Sequence, residues 1–325
     1  MNSRKYIKIL ICTFSLMLST EVSAQVDAQF TQYWAVPTYY NPAATGSIDF
    51  VRIVGGTRMQ WVGIPKAPKT FLIAADAPFK LFGKRIGAGV VVSQETIGLY
   101  STLTANAQIS YKLKLLKGVF SIGLQLGMLD ESFKGSEVKI PTGDDAHDTN
   151  DEGIPTTDVH GTAFDANFGV YYTHKYFWAG ISGTHLLQPT ITMNAEGSEE
   201  KIFEAQAGRM YYFMAGSNIP IKNTLFELQP SLMVKSNFKL TQAEITARVR
   251  YKKFLSGGIA YRWKDAVSVM LGAEYKNFFL GYSFDYPVSA ISKVSNGSHE
   301  VFVGYNLKLD LSDKNKNKHK SIRIM

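Results

Sequence analysis

Between residues 49 and 309, apolar side chains recur at every second position in runs of about ten residues, and turn-forming residues separate the runs. In 266–276, Val267, Val269, Leu271, Ala273 and Tyr275 share one face, opposite Ser268, Met270, Gly272 and Glu274. In 277–287, Phe278, Leu280, Tyr282, Phe284 and Tyr286 oppose Asn277, Gly281, Ser283 and Asp285. In 241–251, Ala243, Ile245, Ala247, Val249 and Tyr251 oppose Gln242, Glu244, Thr246, Arg248 and Arg250. A period of two is the period of a strand, because successive side chains point to opposite faces. Amphipathic helical periodicity is missing, and no stretch of the chain after residue 24 has the ~18 apolar residues of a transmembrane helix.

The pattern predicts fourteen strands: 49–62, 69–78, 86–95, 101–112, 117–129, 163–174, 175–185, 206–218, 224–237, 241–251, 253–263, 266–276, 277–287 and 298–309. The seventh and eighth alternate weakly, so twelve or sixteen strands also fit. Pro230 cannot donate to a ladder, which predicts a bulged or locally distorted strand over 224–237. Two architectures make such alternation: a soluble sandwich with its apolar faces inward, or an outer-membrane barrel with them turned to lipid. The connections favour the barrel. Those around Leu113–Leu116, His174–Lys175, Ile219–Asn223, Lys252–Lys253 and Lys276–Asn277 are short and often basic, whereas 130–162, 186–205 and 288–297 are long and all fall at the opposite end. Short periplasmic turns and long external loops have that arrangement, and an even strand number places both barrel ends on the periplasmic side. Aromatics at strand ends (Tyr251, Phe254, Tyr261, Trp263, Tyr275, Phe278, Tyr286) suit interfacial girdles. The inward candidates Arg52, Arg58, Glu95, Glu227, Lys235, Glu244, Arg248 and Arg262 carry both signs of charge and can pair across a filled interior.

Composition agrees. With 45% hydrophobic and 19% charged residues, the chain is too apolar for disorder. Its single cysteine supports neither a disulfide framework nor a structural thiolate zinc site. Residues 1–24 read as a signal peptide: Arg4, Lys5 and Lys8, an apolar stretch Ile9–Leu18, and Val22-Ser23-Ala24 before Gln25. Cleavage there would remove Cys12 and, with three cations and Glu21 lost, take the formal charge from +8 to +6. The expected organisation is a signal peptide over 1–24, an N-terminal periplasmic or luminal segment over 25–48, an outer-membrane β-barrel over 49–309 and a basic tail over 310–325. The tail is read as a solvated end, with docking to an acidic partner or lipid headgroups as the lesser reading.

Candidate chemistry is sparse. The loop 130–162 is acidic, and Asp148, Asn150, Glu152 and Gly153 echo the start of a calcium loop, but Val159 stands where a bidentate Glu is needed. His147 and His160 lack metal-ligand spacing. No Gly-x-Ser-x-Gly and no Gly-rich phosphate loop opening a helix is present, and Gly56, Gly87, Gly89 and Gly123 fall in strands. Neither a cofactor, a metal nor a nucleic acid is expected, and the chain reads as non-enzymatic.

After the cleavage site the chain runs Asp27-Ala28-Gln29-Phe30-Thr31-Gln32-Tyr33, then Tyr39-Tyr40-Asn41-Pro42-Ala43, with Gly46 following. Further on come Arg58-Met59-Gln60-Trp61-Val62-Gly63 and Ala67-Pro68-Lys69-Thr70, and near the end Gly297-Ser298-His299-Glu300. These four collinear blocks, spanning 27 to about 309, resemble the PorP/SprF family, outer-membrane components of type IX secretion and gliding motility in Bacteroidetes. Ala28, Ala35-Val36-Pro37 and the segment Val92–Gly98 depart from the family's pattern, which leaves the cargo or subfamily open. The resemblance implies a barrel that anchors periplasmic ring lipoproteins of the secretion machine, or helps export and hold an adhesin at the surface. A passive or solute-selective porin is the alternative.

Phe30, Tyr33, Trp34, Tyr39, Tyr40, Asn41 and Pro42 are candidates either for packing in the barrel mouth or for a face offered to a partner protein. Asp27, Gln29, Gln32, Arg58, Gln60, Trp61, Gly297, Ser298, His299 and Glu300 are the further motif positions, with His299 and Glu300 expected as a luminal or rim pair that fixes strand closure.

Overall fold

The computed structural model describes residues 27–138, 157–195 and 201–309. The expected signal peptide, the basic tail, His147 and the calcium-like run from Asp148 lie outside the described residues.

Seventeen strands are present: β1 (Phe50–Met59), β2 (Lys69–Leu81), β3 (Lys84–Ile97), β4 (Tyr100–Leu115), β5 (Gly118–Lys134), β6 (Asp158–Thr173), β7 (Phe177–Thr184), β8 (Thr190–Ala195), β9 (Lys201–Gln206), β10 (Met210–Ser217), β11 (Ile219–Pro220), β12 (Phe226–Ser236), β13 (Thr241–Tyr251), β14 (Leu255–Arg262), β15 (Ala266–Tyr275), β16 (Phe278–Pro287) and β17 (Ser298–Lys308). All but β8, β9 and β11 join in a closed antiparallel barrel of 14 strands. The ring closes where β17 pairs with β1, from Phe50 opposite Lys308 to Met59 opposite His299. These fourteen strands coincide with the fourteen that the alternation predicts.

The two faces have opposite chemistry. Outward side chains are large, apolar and exposed: Leu271 is 69% exposed, Ile245 63% and Ile259 62%. Inward neighbours one residue away are polar and buried, as Ser268, Glu244 and Thr246 illustrate. A soluble domain buries its apolar face away from water, so this inversion fits a wall whose solvent is lipid. Outer-membrane location follows from the same architecture.

Two details differ from the sequence reading. Strands β5 and β6 run past the expected boundaries, pairing as far as Lys134 opposite Asp158. Polar residues such as Asp130 and Ser132 end the apolar alternation but leave the backbone ladder intact, because beyond the bilayer either face can be wet. The expected loop 186–205 instead contains the hairpin β8–β9, whose β8 pairs with β6 at His160 opposite Asn194. Its Ile191 and Met193 pack on Leu129 and Val159 of the inner wall.

Pro230 sits in regular register opposite Ala247, so β12 carries no bulge there. The irregularity falls in the neighbour: pairing along the other edge of β12 stops at Ser231–Gly216 and resumes at Leu228–Ile219. The missing proline donor is thus placed at a gap between β10 and β11, where no ladder bond is lost.

Candidate functional site

The lumen is traversed by the segment before β1. Residues 27–46 run from the long-loop end, where Asp27 meets Thr184 and His185, to the short-turn end, where Gly46 meets Asp76. Short turns mark the periplasmic end, so the segment starts near the external mouth and descends to the start of β1. It is not a strand, because Pro37 and Pro42 fix helical φ at the first position of two short turns, Pro37–Tyr40 and Pro42–Ala44.

At the outer end a buried ion network grips the chain at Thr31. Glu300 accepts from Thr31 N (2.9 Å) and Gln32 N (2.8 Å), and Arg58 donates to the same carboxylate (3.2 Å) and to Asp285 (2.7 Å). The Thr31 hydroxyl donates to Asp285 (2.8 Å) and accepts from Arg262 (2.9 Å). Arg262 and Gln29 both donate to Glu244, at 2.7 and 3.0 Å. Three buried carboxylates and the partly exposed Asp265, 3.1 Å from Arg262, face two guanidiniums here, and the extra acceptor capacity of the buried ones is met by backbone and amide donors of the segment itself. The network is therefore completed only when the segment is in place.

Above this, His185 is held between two carboxylates, Asp27 at 2.9 Å and Asp165 at 2.7 Å. Tyr212 and Thr184 hydroxyls donate to Asp27 at 2.6 and 3.0 Å, and Lys235 donates to its backbone carbonyl at 3.2 Å. Burial pushes the Asp27 carboxyl up, but the adjacent imidazole and these hydroxyls hold it well below the usual carboxylate range. Burial pulls the His185 ring down, yet Asp27 and Asp165 raise it to about 10. The result is a charged clamp on the first described residue.

The middle of the segment is aromatic. Phe30 packs edge-on against Phe302 (5.2 Å between centroids) and Tyr39 (5.4 Å), and Tyr40 lies against Tyr212 (5.3 Å). Trp34 meets Phe279 edge-on, while the Arg248 guanidinium covers its face at 3.3 Å. Tyr33 donates to Ser231 at 2.8 Å. Asn41 caps the turn it precedes by accepting from Ala43 N (2.9 Å), and its amide donates to the carbonyls of Val170 (3.0 Å) and Ile181 (3.2 Å).

The inner end relies on backbone contact. Thr45 carbonyl accepts from Ser110 (2.7 Å), Thr38 carbonyl from Gln108 (2.7 Å), and Gly46 N donates to Asp76 (2.7 Å). Two glycines make room: a Cβ on Gly123 would lie 2.2 Å from Ala43 N, and one on Gly87 2.1 Å from Thr45 O.

The structure brings most of the sequence-predicted positions together. Phe30, Tyr33, Tyr40, Asn41, Pro42, Gln29 and Gln32 are buried in the lumen, with Trp34, Tyr39 and Asp27 half-buried. Arg58 and Glu300, far apart in sequence, are cross-strand partners. Gln60, Trp61 and Gly297 join the external loops: Val62 N donates to Gly297 O (2.8 Å), and Trp61 N to the Ser298 hydroxyl (3.1 Å). His299 and Glu300 do not pair. As strand neighbours they point to opposite faces, Glu300 inward and His299 outward against the Tyr282 hydroxyl at 2.8 Å. The sequence reading missed Thr31, His185, Asp165 and Asp285 as parts of the site. Strand parity places Asp285 on the polar face of its strand and so inward, but nothing in the sequence aims His185 at Asp27.

Above the segment lies an outer vestibule of about 840 Å³, lined by residues that include Gln29, Tyr39, Glu95, Gln125, His185 and Lys235. Among the described residues no group of three or more His, Cys, Asp or Glu side chains is placed to hold a metal ion.

Residues 22–305 match the model of a family described as Type IX secretion system membrane protein PorP/SprF. No curated protein matches the chain. Among solved structures, a Pseudomonas aeruginosa FadL homologue is 11% identical, with 83% of this chain and 93% of that one covered and a TM-score of 0.46. The P. putida toluene transporter TodX is 10% identical over 83% and 92%, with a TM-score of 0.43. The Acinetobacter baumannii outer membrane protein Omp33 is 9% identical over 80% and 99%, with a TM-score of 0.38.

Proposed function

The chain belongs to the PorP/SprF family of type IX secretion system membrane proteins, and from that membership we propose that it acts as a closed, non-enzymatic scaffold in the outer membrane. In this reading the barrel holds periplasmic ring partners of the secretion machine in the membrane plane, or assists export and surface attachment of adhesin-type cargo. The observation that carries it is the occupied lumen. Residues 27–46 cross the interior from mouth to mouth and are tied to it by the Arg58–Asp285–Glu300 network at one end and by backbone contacts at the other.

A solute-conducting barrel needs a continuous wet path, and the segment lies against the vestibule, which Asp27, Gln29 and Tyr39 help to line. The aromatic residues Phe30, Tyr33 and Tyr40 are engaged with the inner wall, which leaves the loops and turns at the two rims as the surface for partners. Two experiments test the scaffold. Cells lacking the protein are expected to lose secretion or surface display of type IX cargo, while the purified barrel stays closed in planar bilayers. Normal cargo delivery without the protein would overturn the role in secretion. Steady solute-selective conductance by the unaltered barrel would favour the porin reading.

A further inference from the structure

The periplasmic rim repeats one motif at each of its six turns. At Phe82-Gly83-Lys84 and Leu116-Lys117 the apolar tip residues are 93% and 81% exposed. The turns at Lys175-Tyr176 and Ile221-Lys222 again set a large apolar side chain beside a lysine, and Tyr251-Lys252 and Tyr275-Lys276 complete the circle. In three of the six the ammonium lies over the neighbouring tyrosine ring: Lys175 on Tyr176 at 5.2 Å, Lys252 on Tyr251 at 5.3 Å and Lys276 on Tyr275 at 5.4 Å. Among the described residues the tips of this rim carry one acid, Asp49, and it is paired with Arg85. The external rim differs. Phe238-Lys239 and Trp263-Lys264 resemble the motif, but Lys66 and Lys134 both pair with Glu137, and Asp265 sits beside Lys264.

We propose that the six periplasmic turns form a continuous binding collar for anionic phospholipid headgroups of the inner leaflet. Lipid-facing tyrosines of a barrel girdle sit at the level of the headgroups. A lysine folded over such a ring keeps its stem in the apolar boundary and its ammonium at the phosphates. The exposed Phe82 and Leu116 tips enter that boundary, an arrangement that costs exposed apolar surface in water and costs little in lipid. The even spread around the whole circumference also favours lipid. A docked acidic protein would meet one sector of the rim, whereas an annulus of lipid meets every turn. Attraction of lysines to an anionic leaflet is an additive, screened interaction.

The test is the preference of the full barrel, reconstituted in phosphatidylcholine vesicles, for spin-labelled phosphatidylglycerol over spin-labelled phosphatidylcholine. The expected ratio is about two to four at low salt, falling towards one at about 1 M NaCl, where the screening length is only ~3 Å. A K84Q/K117Q/K175Q/K222Q/K252Q/K276Q variant is expected to give a ratio near one, and the corresponding six-arginine variant to keep the wild-type ratio. Heat-modifiable migration confirms that each variant is folded. A wild-type ratio of one, or a glutamine variant that keeps the preference, overturns the proposal. A wild-type ratio of one together with loss of an acidic periplasmic protein from the glutamine variant alone would reassign the collar to protein docking.

Discussion

The two ends of the luminal segment are held by different physics. The outer end, from Asp27 to Gln32, is held by charge: buried carboxylates and guanidiniums converge on Thr31, and a histidine is clamped on Asp27. The inner end, from Asn41 to Gly46, is held by closeness, with glycines in β3 and β5 letting the segment's backbone lie directly against the wall. Directional networks tolerate little loss of a partner, because each leftover charge is stranded in a poorly solvated interior. Close packing tolerates little gain of volume. The same plug is therefore vulnerable to deletion at one end and to insertion at the other.

The largest expected effect is at the charged end. Arg58→Ala leaves Asp285 and Glu300 short of a cation and is expected to cost about 3–5 kcal/mol. In planar bilayers the variant is expected to conduct, as residues 27–32 leave the network. Arg58→Lys sharpens the point: it keeps the charge but not the fork that reaches both carboxylates at 3.2 and 2.7 Å, and should fall between the two. A silent, fully stable Arg58→Ala barrel would show that the network does not hold the segment.

At the inner end Gly123→Ala places a methyl group 2.2 Å from Ala43 N, and the obstacle is backbone, which cannot rotate away. The expected cost is about 1–3 kcal/mol, with greater protease sensitivity of residues 41–46 and little change at Thr31. Asn41→Ala should cost slightly less, about 1–2 kcal/mol, since two wall carbonyls and Ala43 N lose a partner. If either change loosened the outer end as much as the inner, the segment would be one cooperative unit and the division into two mechanisms would fail.

How much of this was legible beforehand follows the same division. Strand number, the inward charged set and the opposite chemistry of the two faces come from a period of two, which each segment carries locally. Arg58, Glu244 and Arg262 therefore point inward as parity predicts. The path of 27–46 through the lumen does not follow from any local pattern. Its prolines, aromatics and amides suit a plug and a partner face equally well until Glu300, 269 positions from Thr31, is known to lie beside it. The glycine contacts were visible only as glycines in strands, and the hairpin β8–β9 was hidden because its six-residue strands are too short for alternation to stand out.

The smallest expected effect separates the ends by pH. His185 gains its partners on folding, so its contribution is fully present below its ordinary value of 6.5 and is lost as pH rises towards about 10. Asp27 is lowered, so its contribution is present above its ordinary value of 3.8 and is lost as pH falls below that. The outer clamp is then strongest between those two ordinary values. At the inner end the Ser110, Gln108 and Asn41 contacts involve no proton exchange, and only the Gly46–Asp76 contact, with Lys112 nearby, carries ionisable groups, so a smaller response is expected there. Amide exchange measured at pH 6 and pH 10, corrected for the intrinsic rate, is expected to rise more for residues 27–32 than for 41–46. His185→Gln should weaken the response at the outer end, because the amide can still bond to one carboxylate but does not titrate. Equal loosening of both ends, or a pH response undiminished in His185→Gln, would mean that the clamp on Asp27 is not what distinguishes the two halves of the plug.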